Sequence, residues 1–250
     1  MENMQEHPGK LFGLIGKQIS YSFSRSYFNK KFQALQLNDH RYINFDIASI
    51  KDFPAILQKH PNLKGLNVTI PYKEKILPYI HELSEEAREI NAVNTIKFTK
   101  NGLKGYNTDC YGFKKSFTSL VKPHHKNALV LGTGGASKAI VYMLNKLGIA
   151  YRFVSRNQPG TLRYSDINKE IITHYNIIIN CTPLGTAPEV TAKPKLPYQH
   201  IGPEHLLYDL VYNPAETAFL TSGKVRGATI CNGLSMLKFQ AEKAWHLWNS

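Results

Sequence analysis

The chain has 250 residues, 42% hydrophobic and 20% charged, and its 31 Lys and Arg outnumber 18 Asp and Glu, for a formal charge of +13. That composition excludes a disordered chain and allows one large domain or two of ordinary size. The excess is diffuse, +5 over residues 1–108, +7 over 109–233 and +1 over 234–250, so there is no basic block of the kind that reads as a nucleic-acid site.

Taken in chain order, Leu11 to Ile15 is a short apolar run ending at Gly16 and reads as a buried strand. Ser26 to Leu37 carries apolar residues at helical spacing. Tyr42 to Asp46 is a second strand. Phe53 to Lys59 is a helix stopped near Pro61, and Gly65 to Ile70 is a third strand closed by Pro71. Ser84 to Ile90 reads as a helix capped by Ser84 with its acids early. Ala92 to Phe98 and Leu103 to Tyr106 flank Asn101-Gly102, a hairpin signal. A βαβ series follows. Strands are expected at Asn127 to Leu131, Ala150 to Val154, Ile177 to Asn180, Leu206 to Leu210 and Ala228 to Cys231. A helix is expected from Lys138 to Leu147, ended by Gly148, and another from Leu234 to Trp248, whose Trp245 and Trp248 lie on its apolar stripe. Strands alternating with helices predict a parallel, doubly wound sheet.

Cys110, Cys181 and Cys231 are far apart and form no CxxC, and the ten histidines form no HExxH, so no disulfide framework and no metal are expected. His124-His125, His200 and His205 read as solvated loop residues. No apolar run reaches the roughly 18 residues of a membrane span. Met1 to Lys10 is polar and lacks the apolar core of a secretory signal, so it reads as a disordered lead and the cytoplasm is the expected location.

The sharpest local signal is a strand running into Gly132-Thr133-Gly134-Gly135-Ala136-Ser137 and then a helix. That layout presents backbone N–H groups and a helix N-terminus to a pyrophosphate, although the sixth position departs from GxGxxG. The next strand ends in Ser155-Arg156-Asn157. A site for NAD usually carries an acid there for the ribose 2′-hydroxyl. Arg156 instead suits a 2′-phosphate, which favours NADP. An ordinary glycine-rich turn and a surface arginine are the plain alternatives.

Several segments, in order, resemble those of the shikimate dehydrogenases. Gly16 to Ser24 (GKQISYSFS) is similar to GxPIxHSxS, with Tyr21 and Arg25 at positions where that family usually has His and Pro. Asn67 to Lys73 (NVTIPYK), Ala92 to Thr95 (AVNT), Gly105 to Asp109 (GYNTD), the GTGGAS loop and Asn180 to Gly185 (NCTPLG) follow the family pattern. So do Tyr208 to Thr217 (YDLVYNPAET) and Gly233 to Leu237 with Gln240. The resemblance covers nearly the whole chain.

It implies reduction of 3-dehydroshikimate to shikimate with NADPH, in aromatic (chorismate) biosynthesis. Two α/β domains are expected. Residues 1–108 with 234–250 would bind substrate, 109–233 would form a Rossmann-like NADP domain, and the active site would lie in the cleft between them. Lys73 and Asp109 would be the catalytic pair, since carbonyl reduction needs a proton for the developing alkoxide. Asp109 could also cap a helix over Tyr111 to Leu120. Ser22 and Ser24 would hold the substrate carboxylate as an i, i+2 pair on an extended segment, joined by Tyr212. Asn67, Thr69, Asn94 and Gln240 would bind the ring hydroxyls. Besides the glycine loop, Ser155 and Arg156, the cofactor would meet Thr182, Pro183, Leu184 and Gly233. The expected assembly is a monomer or homodimer acting on a small molecule. The rivals are an NAD-dependent quinate/shikimate dehydrogenase and, from another class, a non-catalytic NADP-binding or nucleic-acid-binding protein. Residues 155–180 leave room for only a short connection.

Overall fold

The computed structural model describes residues 9–20 and 22–250, and the expectations for Met1 to Pro8 and Tyr21 lie outside them. The chain forms two compact units. The first runs to Thr108 and takes in Ala241–Ser250, rather than all of 234–250, and the second is Asp109–Gln240.

In the first unit the elements are β1 (Leu11–Gly16), α1 (Phe23–Ala34), β2 (Arg41–Asp46), α2 (Phe53–Lys59), β3 (Leu63–Val68), β4 (Glu82–Leu83), α3 (Glu85–Ile90), β5 (Thr95–Thr99) and β6 (Gly102–Tyr106). The sheet order is β2-β1-β3-β5-β6-β4. β1 pairs parallel with β2 and β3, whereas β5 runs antiparallel to β3 and β6. All six residues of β1 are buried. Leu11 and Ile15 join a core with Phe53, Leu66 and Ile96, while Phe12 and Leu14 join a second core with Phe28, Phe32, Tyr42 and Trp248. A strand covered on both faces reads as an unbroken apolar run. Trp248, on the last helix, donates from Nε1 to the Ile96 carbonyl at 3.0 Å and fills the space that a side chain at Gly65 would need.

The second unit contains α4 (Thr108–Phe117), which starts one residue before the boundary, then β7 (Asn127–Leu131), α5 (Gly135–Lys146), β8 (Ala150–Val154), α6 (Lys169–His174), β9 (Ile177–Asn180), β10 (Leu206–Asp209), α7 (Ala218–Lys224), β11 (Thr229–Cys231) and most of the first half of α8 (Leu234–Asn249). Its sheet is parallel throughout, in the order β11-β10-β9-β7-β8. The chain moves outward from β7 to β8 and then returns to the other side of β7 with β9. The crevice at the carboxyl ends of β7 and β9 is therefore the topological switch point, where ligands of doubly wound sheets bind. The short α6 is the only α-helix between β8 and β9.

Some boundaries differ from expectation. α1 spans Phe23–Ala34, not 26–37. Gln36 adopts φ 56°, and Leu37 N–H reaches the Phe32 carbonyl at 2.9 Å while Gln36 N–H reaches Gln33. That is a Schellman stop without its usual glycine. In the hairpin Thr99 pairs with Gly102, so Lys100 and Asn101 form the loop and Gly102 opens β6 with φ 103°. α5 begins at Gly135, ahead of the expected Lys138.

Two histidines expected in solvent are buried instead. His125 Nδ1 accepts from Lys122 N–H at 3.0 Å and its Nε2–H donates to the Glu204 carbonyl at 3.2 Å. His205 repeats the arrangement with Gly202 N–H at 3.0 Å and the Ile172 carbonyl at 3.1 Å. Both loops thereby satisfy backbone groups at the amino edge of the sheet. Burial pushes His125 below its ordinary 6.5, the hydrogen bond to the Glu204 carbonyl offsets part of that fall, and the neighbouring His124 and Lys122 add smaller lowering effects. An unfolded chain takes up this proton at higher pH than the folded one. The contribution to stability is therefore full above about 6.5 and is lost as pH falls through the lowered value. The urea midpoint of the wild type is expected to drop more between neutral and mildly acidic pH than that of His125→Asn. Equal drops would exclude this role.

Candidate functional site

In the first unit the site grows from the carboxyl end of β3. Antiparallel register sets Asn67 opposite Thr95, and Thr95 opposite Tyr106. Asn67 is buried. Its Oδ1 accepts the Tyr42 phenol at 2.8 Å, and its Nδ2 donates to the Asn94 carbonyl at 3.2 Å and Thr95 Oγ1 at 3.1 Å. Asn94 Oδ1 accepts Thr108 N–H at 2.6 Å, and Asn94 Nδ2 donates to Thr108 Oγ1 at 3.0 Å. The hydroxyls of Thr95 and Thr108 are 3.1 Å apart. Thus Asn67 and Asn94 meet in one network, with Thr95 and Thr108 as members that the sequence reading gave no role. Thr95 lies in the AVNT segment and Thr108 in GYNTD, where residue type is the one signal of their role.

Lys73 is half-buried and is fixed by its neighbours. Tyr72 N–H reaches the Thr69 carbonyl at 2.8 Å, Thr69 N–H reaches Ile15 at 2.9 Å, and Val93 N–H reaches the Lys73 carbonyl at 2.8 Å. The NVTIPYK and AVNT segments are therefore laced together at Lys73. Thr69 lies just past the end of β3 and is half-buried.

Ser22 and Ser24 are not the extended pair expected. Ser22 is the N-cap of α1 and makes no side-chain cap bond, while Ser24 lies in the first turn. Residues two apart do not share a helix face. Ser24 is buried and is a hydrogen-bond partner of the Tyr42 phenol, which burial holds well above its ordinary pKa. The pair therefore stands at a helix N-terminus, with one half-buried hydroxyl at the cap.

In the second unit, β7 delivers the glycine loop to the switch point. Gly132 has φ 96°, and a Cβ there would stand 2.9 Å from Thr182 Cγ2. Its N–H is held by the Val154 carbonyl at 2.9 Å, while Cys181 N–H is held by the Leu131 carbonyl at 2.9 Å. The loop thus sits between Thr182 on one side and the end of β8 on the other. Gly134 is the N-cap of α5, in extended backbone with φ −75°, and a Cβ there would meet nothing within 4 Å. Thr133, Gly135 and Ala136 are half-buried around it, and Ser137 is buried with its hydroxyl turned back to the Gly134 carbonyl at 2.7 Å. Ser137 therefore braces the loop from within.

At the end of β8, Ser155 N–H pairs with the Leu162 carbonyl and Leu162 N–H with Phe153, both at 2.9 Å. Ser155 Oγ accepts Gln158 N–H at 3.2 Å. The loop bearing exposed Arg156 is closed by these bonds. Burial raises the Tyr164 phenol, and the charge of Arg156 offsets part of that rise. At the end of β9, Thr182 and Leu184 are half-buried and Pro183 is exposed. Gly233 is buried with its N–H on the Val211 carbonyl at 3.1 Å, and Leu210 fills the space its side chain would need. Backbone packing therefore explains Gly233.

Asp109 lies within the first turn of α4, buried, and is not the cap of a later helix. One turn on, a Cβ at Gly112 would meet the Met236 carbonyl at 2.5 Å and Gln240 Cβ at 3.1 Å. α4 and α8 therefore cross closely, with Asp109 and Gly112 on one helix face. Gln240 is buried and donates from Nε2 to Leu237 at 3.0 Å. Tyr212 is half-buried beyond β10. A cavity of about 310 Å³ lined by Lys122, His125, Lys126 and Gly148 opens at the amino ends of β7 and β8, away from all of these residues in the second unit.

Comparison with known proteins agrees with this layout. Residues 14–96 match the profile of the shikimate dehydrogenase substrate binding domain. A shikimate dehydrogenase (NADP+) of Desulforamulus reducens is 36% identical over 94% of this chain and 88% of its own length. The crystal structure of shikimate dehydrogenase from Aquifex aeolicus superposes with a TM-score of 0.86 at 33% identity, covering 100% of this chain and 94% of that one. The enzyme of Thermus thermophilus, solved with NADP(H) and shikimate, gives 0.83 at 30% identity over 96% and 93%. A doubly wound parallel unit, together with an α/β unit that carries a buried amide network, is the make-up of a two-unit α/β dehydrogenase. The chain belongs to the shikimate dehydrogenase family.

The two loop glycines separate fold from ligand. Gly132→Ala is expected to cost about 1–3 kcal/mol in urea unfolding, because its φ and its contact with Thr182 both exclude a side chain. Gly134→Ala is expected to cost less than about 1 kcal/mol. A reversed order would contradict the loop geometry.

Proposed function

We infer that the protein reversibly reduces 3-dehydroshikimate to shikimate with NADPH, a step of aromatic biosynthesis. The observation that carries the reading is that a chain of this family presents Lys73, fixed by the Val93 amide, together with a buried Asp109 in the first turn of α4. The nucleotide fits the residues present. Gly134 leaves open the space that a Cβ would fill at the N-terminus of α5, where backbone N–H groups and the helix dipole favour phosphate. Gly132 to Ala136 would cradle the pyrophosphate, Arg156 with Ser155 would take the 2′-phosphate, and Thr182 to Leu184 would lie along the nucleotide.

The bound nucleotide supplies a hydride to the ketone carbon. The chain's own residues supply position and protons. The Lys73 ammonium would hydrogen-bond the ketone oxygen and deliver its proton as the alkoxide develops. Asp109, in the first turn of α4, would pass that proton to or from Lys73. Ser22, Ser24 and Tyr212 would receive the substrate carboxylate. Asn67, Thr69, Asn94 and Gln240 would read the ring hydroxyls. Both Asn67 Nδ2 hydrogens are engaged within the unit and Oδ1 accepts the Tyr42 phenol, so the second lone pair of Oδ1 would be its contact for substrate. A fixed acceptor of this kind discriminates against rings that lack the hydroxyl. No described helix is long and apolar enough to cross a membrane. The reading places the enzyme in the cytoplasm, as a monomer or homodimer, with no nucleic-acid partner.

Lys73→Ala is expected to lower kcat by about 10²–10⁴ with NADPH binding unchanged, followed by NADPH absorbance. Near-normal turnover would overturn the assignment of Lys73. Arg156→Ala is expected to reduce the preference for NADP over NAD roughly ten- to hundredfold, the loss of one charge-assisted contact. An unchanged ratio would favour the NAD-dependent quinate/shikimate reading.

A further inference from the structure

Asn180 and Asp209 are the last residues of β9 and β10, paired in register, and neither has exposed surface. Asp209 Oδ1 accepts Asn180 Nδ2 at 2.9 Å and Val211 N–H at 3.0 Å, and Oδ2 accepts the Thr217 hydroxyl at 2.6 Å. Asn180 Oδ1 turns the other way and accepts Thr182 N–H at 3.1 Å and the Thr182 hydroxyl at 2.6 Å. Thr182 Oγ1 in turn accepts Leu184 N–H at 3.4 Å. Thr217 also caps α7, accepting Leu220 N–H at 3.3 Å.

We propose that Asp209 is a positioning residue for the cofactor, acting through Asn180 to set the shape of the Thr182–Leu184 loop. This rests on the cofactor reading given above. The reason is directional. An ionised carboxylate only accepts, so it forces the Asn180 amide to present its NH₂ to Asp209 and its oxygen to Thr182. The flipped amide would oppose oxygen to carboxylate and leave buried groups unpaired, which is costly in a low-dielectric site. With the amide fixed, the Thr182 N–H and hydroxyl are both committed to Asn180, and the following turn is held by Leu184. Burial lifts the Asp209 carboxyl to about 6 while its hydrogen bonds pull it down, and all three of its partners donate to it, as to an ionised carboxylate. The titratable groups that face it are Cys181 at the end of β9 and Tyr198. Burial holds both protonated, so neither adds charge to the cluster.

The test compares Asp209→Ala, Asp209→Asn and Asn180→Ala in the full-length protein. Asp209→Ala is expected to raise the NADPH dissociation constant about tenfold, read by NADPH fluorescence, with KM for shikimate within twofold. In nucleotide-free protein it is expected to speed amide exchange at Thr182 and Leu184 while the β9 amides stay protected. Asp209→Asn keeps an acceptor for Asn180 and can donate to Thr217, so it should restore both readouts. Asn180→Ala cuts the path and should match Asp209→Ala, and the double variant should add nothing. If Asp209→Ala does not fold, Asn180→Ala decides. A folded Asp209→Ala or Asn180→Ala with wild-type exchange at Thr182 and wild-type NADPH affinity overturns the proposal. A wild type that binds no NADPH overturns the cofactor reading itself, and this proposal falls with it.

Discussion

A polar side chain taken out of water must be partnered or it costs roughly 1–3 kcal/mol, and more when charged. Asn67, Asn94, Asn180 and Asp209 all sit at or next to strand ends, nearly or fully buried. Each meets that demand by reaching to a loop or to the next strand. Asn67 draws in β2 through Tyr42 and β5 through Thr95, and Asn94 draws in the start of α4 through Thr108. Asp209 gathers the turn after β10, the cap of α7 and, through Asn180, the loop after β9. The same burial that makes these groups expensive to leave unpaired also makes their hydrogen bonds stiff. Loops that would otherwise be the softest parts of an α/β unit are therefore held from below.

That stiffness matters because the inferred reaction depends on placement. Hydride transfer needs the donor and the ketone at a fixed separation and angle, and proton delivery needs Lys73 at one oxygen. The glycine loop shows how the fold leaves room for this. Gly132 is glycine because its own conformation and Thr182 require it. Gly134 has no such reason within the protein, since its backbone is ordinary and its surroundings are open.

Much of the fold was legible because buried parallel strands leave short apolar runs that few other structures explain. LFGLI, NALVL and IIIN were of that kind, and their strands appear where expected. What was not legible either lacked a local signal or depended on partners distant in sequence. Gln36 stops α1 in a left-handed conformation that glycine would have advertised. Ser22 and Ser24 looked like alternating residues because the helix start had no acidic or proline signal to mark it. His125 and His205 sit among turn residues, yet each bonds a carbonyl from a segment about 80 or 33 positions away in the chain. The catalytic candidates were visible through their motifs. The Asn180–Asp209 pair stood in two quoted motifs, and its meaning arises only when the strands lie side by side.

The net charge takes a narrower meaning in this setting. Surface pairs such as Lys31–Glu242 and Lys224–Glu216, each 2.7 Å apart, engage part of the acidic complement and contribute little stability. The remaining excess is distributed along the chain, and at physiological salt a charge acts over only about 8 Å. A distant lysine therefore does little to draw in a nucleotide or a carboxylate. Attraction has to come from cations near the binding groups. Within the second unit the cation proposed for that role is Arg156, exposed on a loop closed by its own backbone bonds at the end of β8. Under the function proposed above, the position of one guanidinium, and not the total of +13, would fit this chain to a doubly phosphorylated ribose.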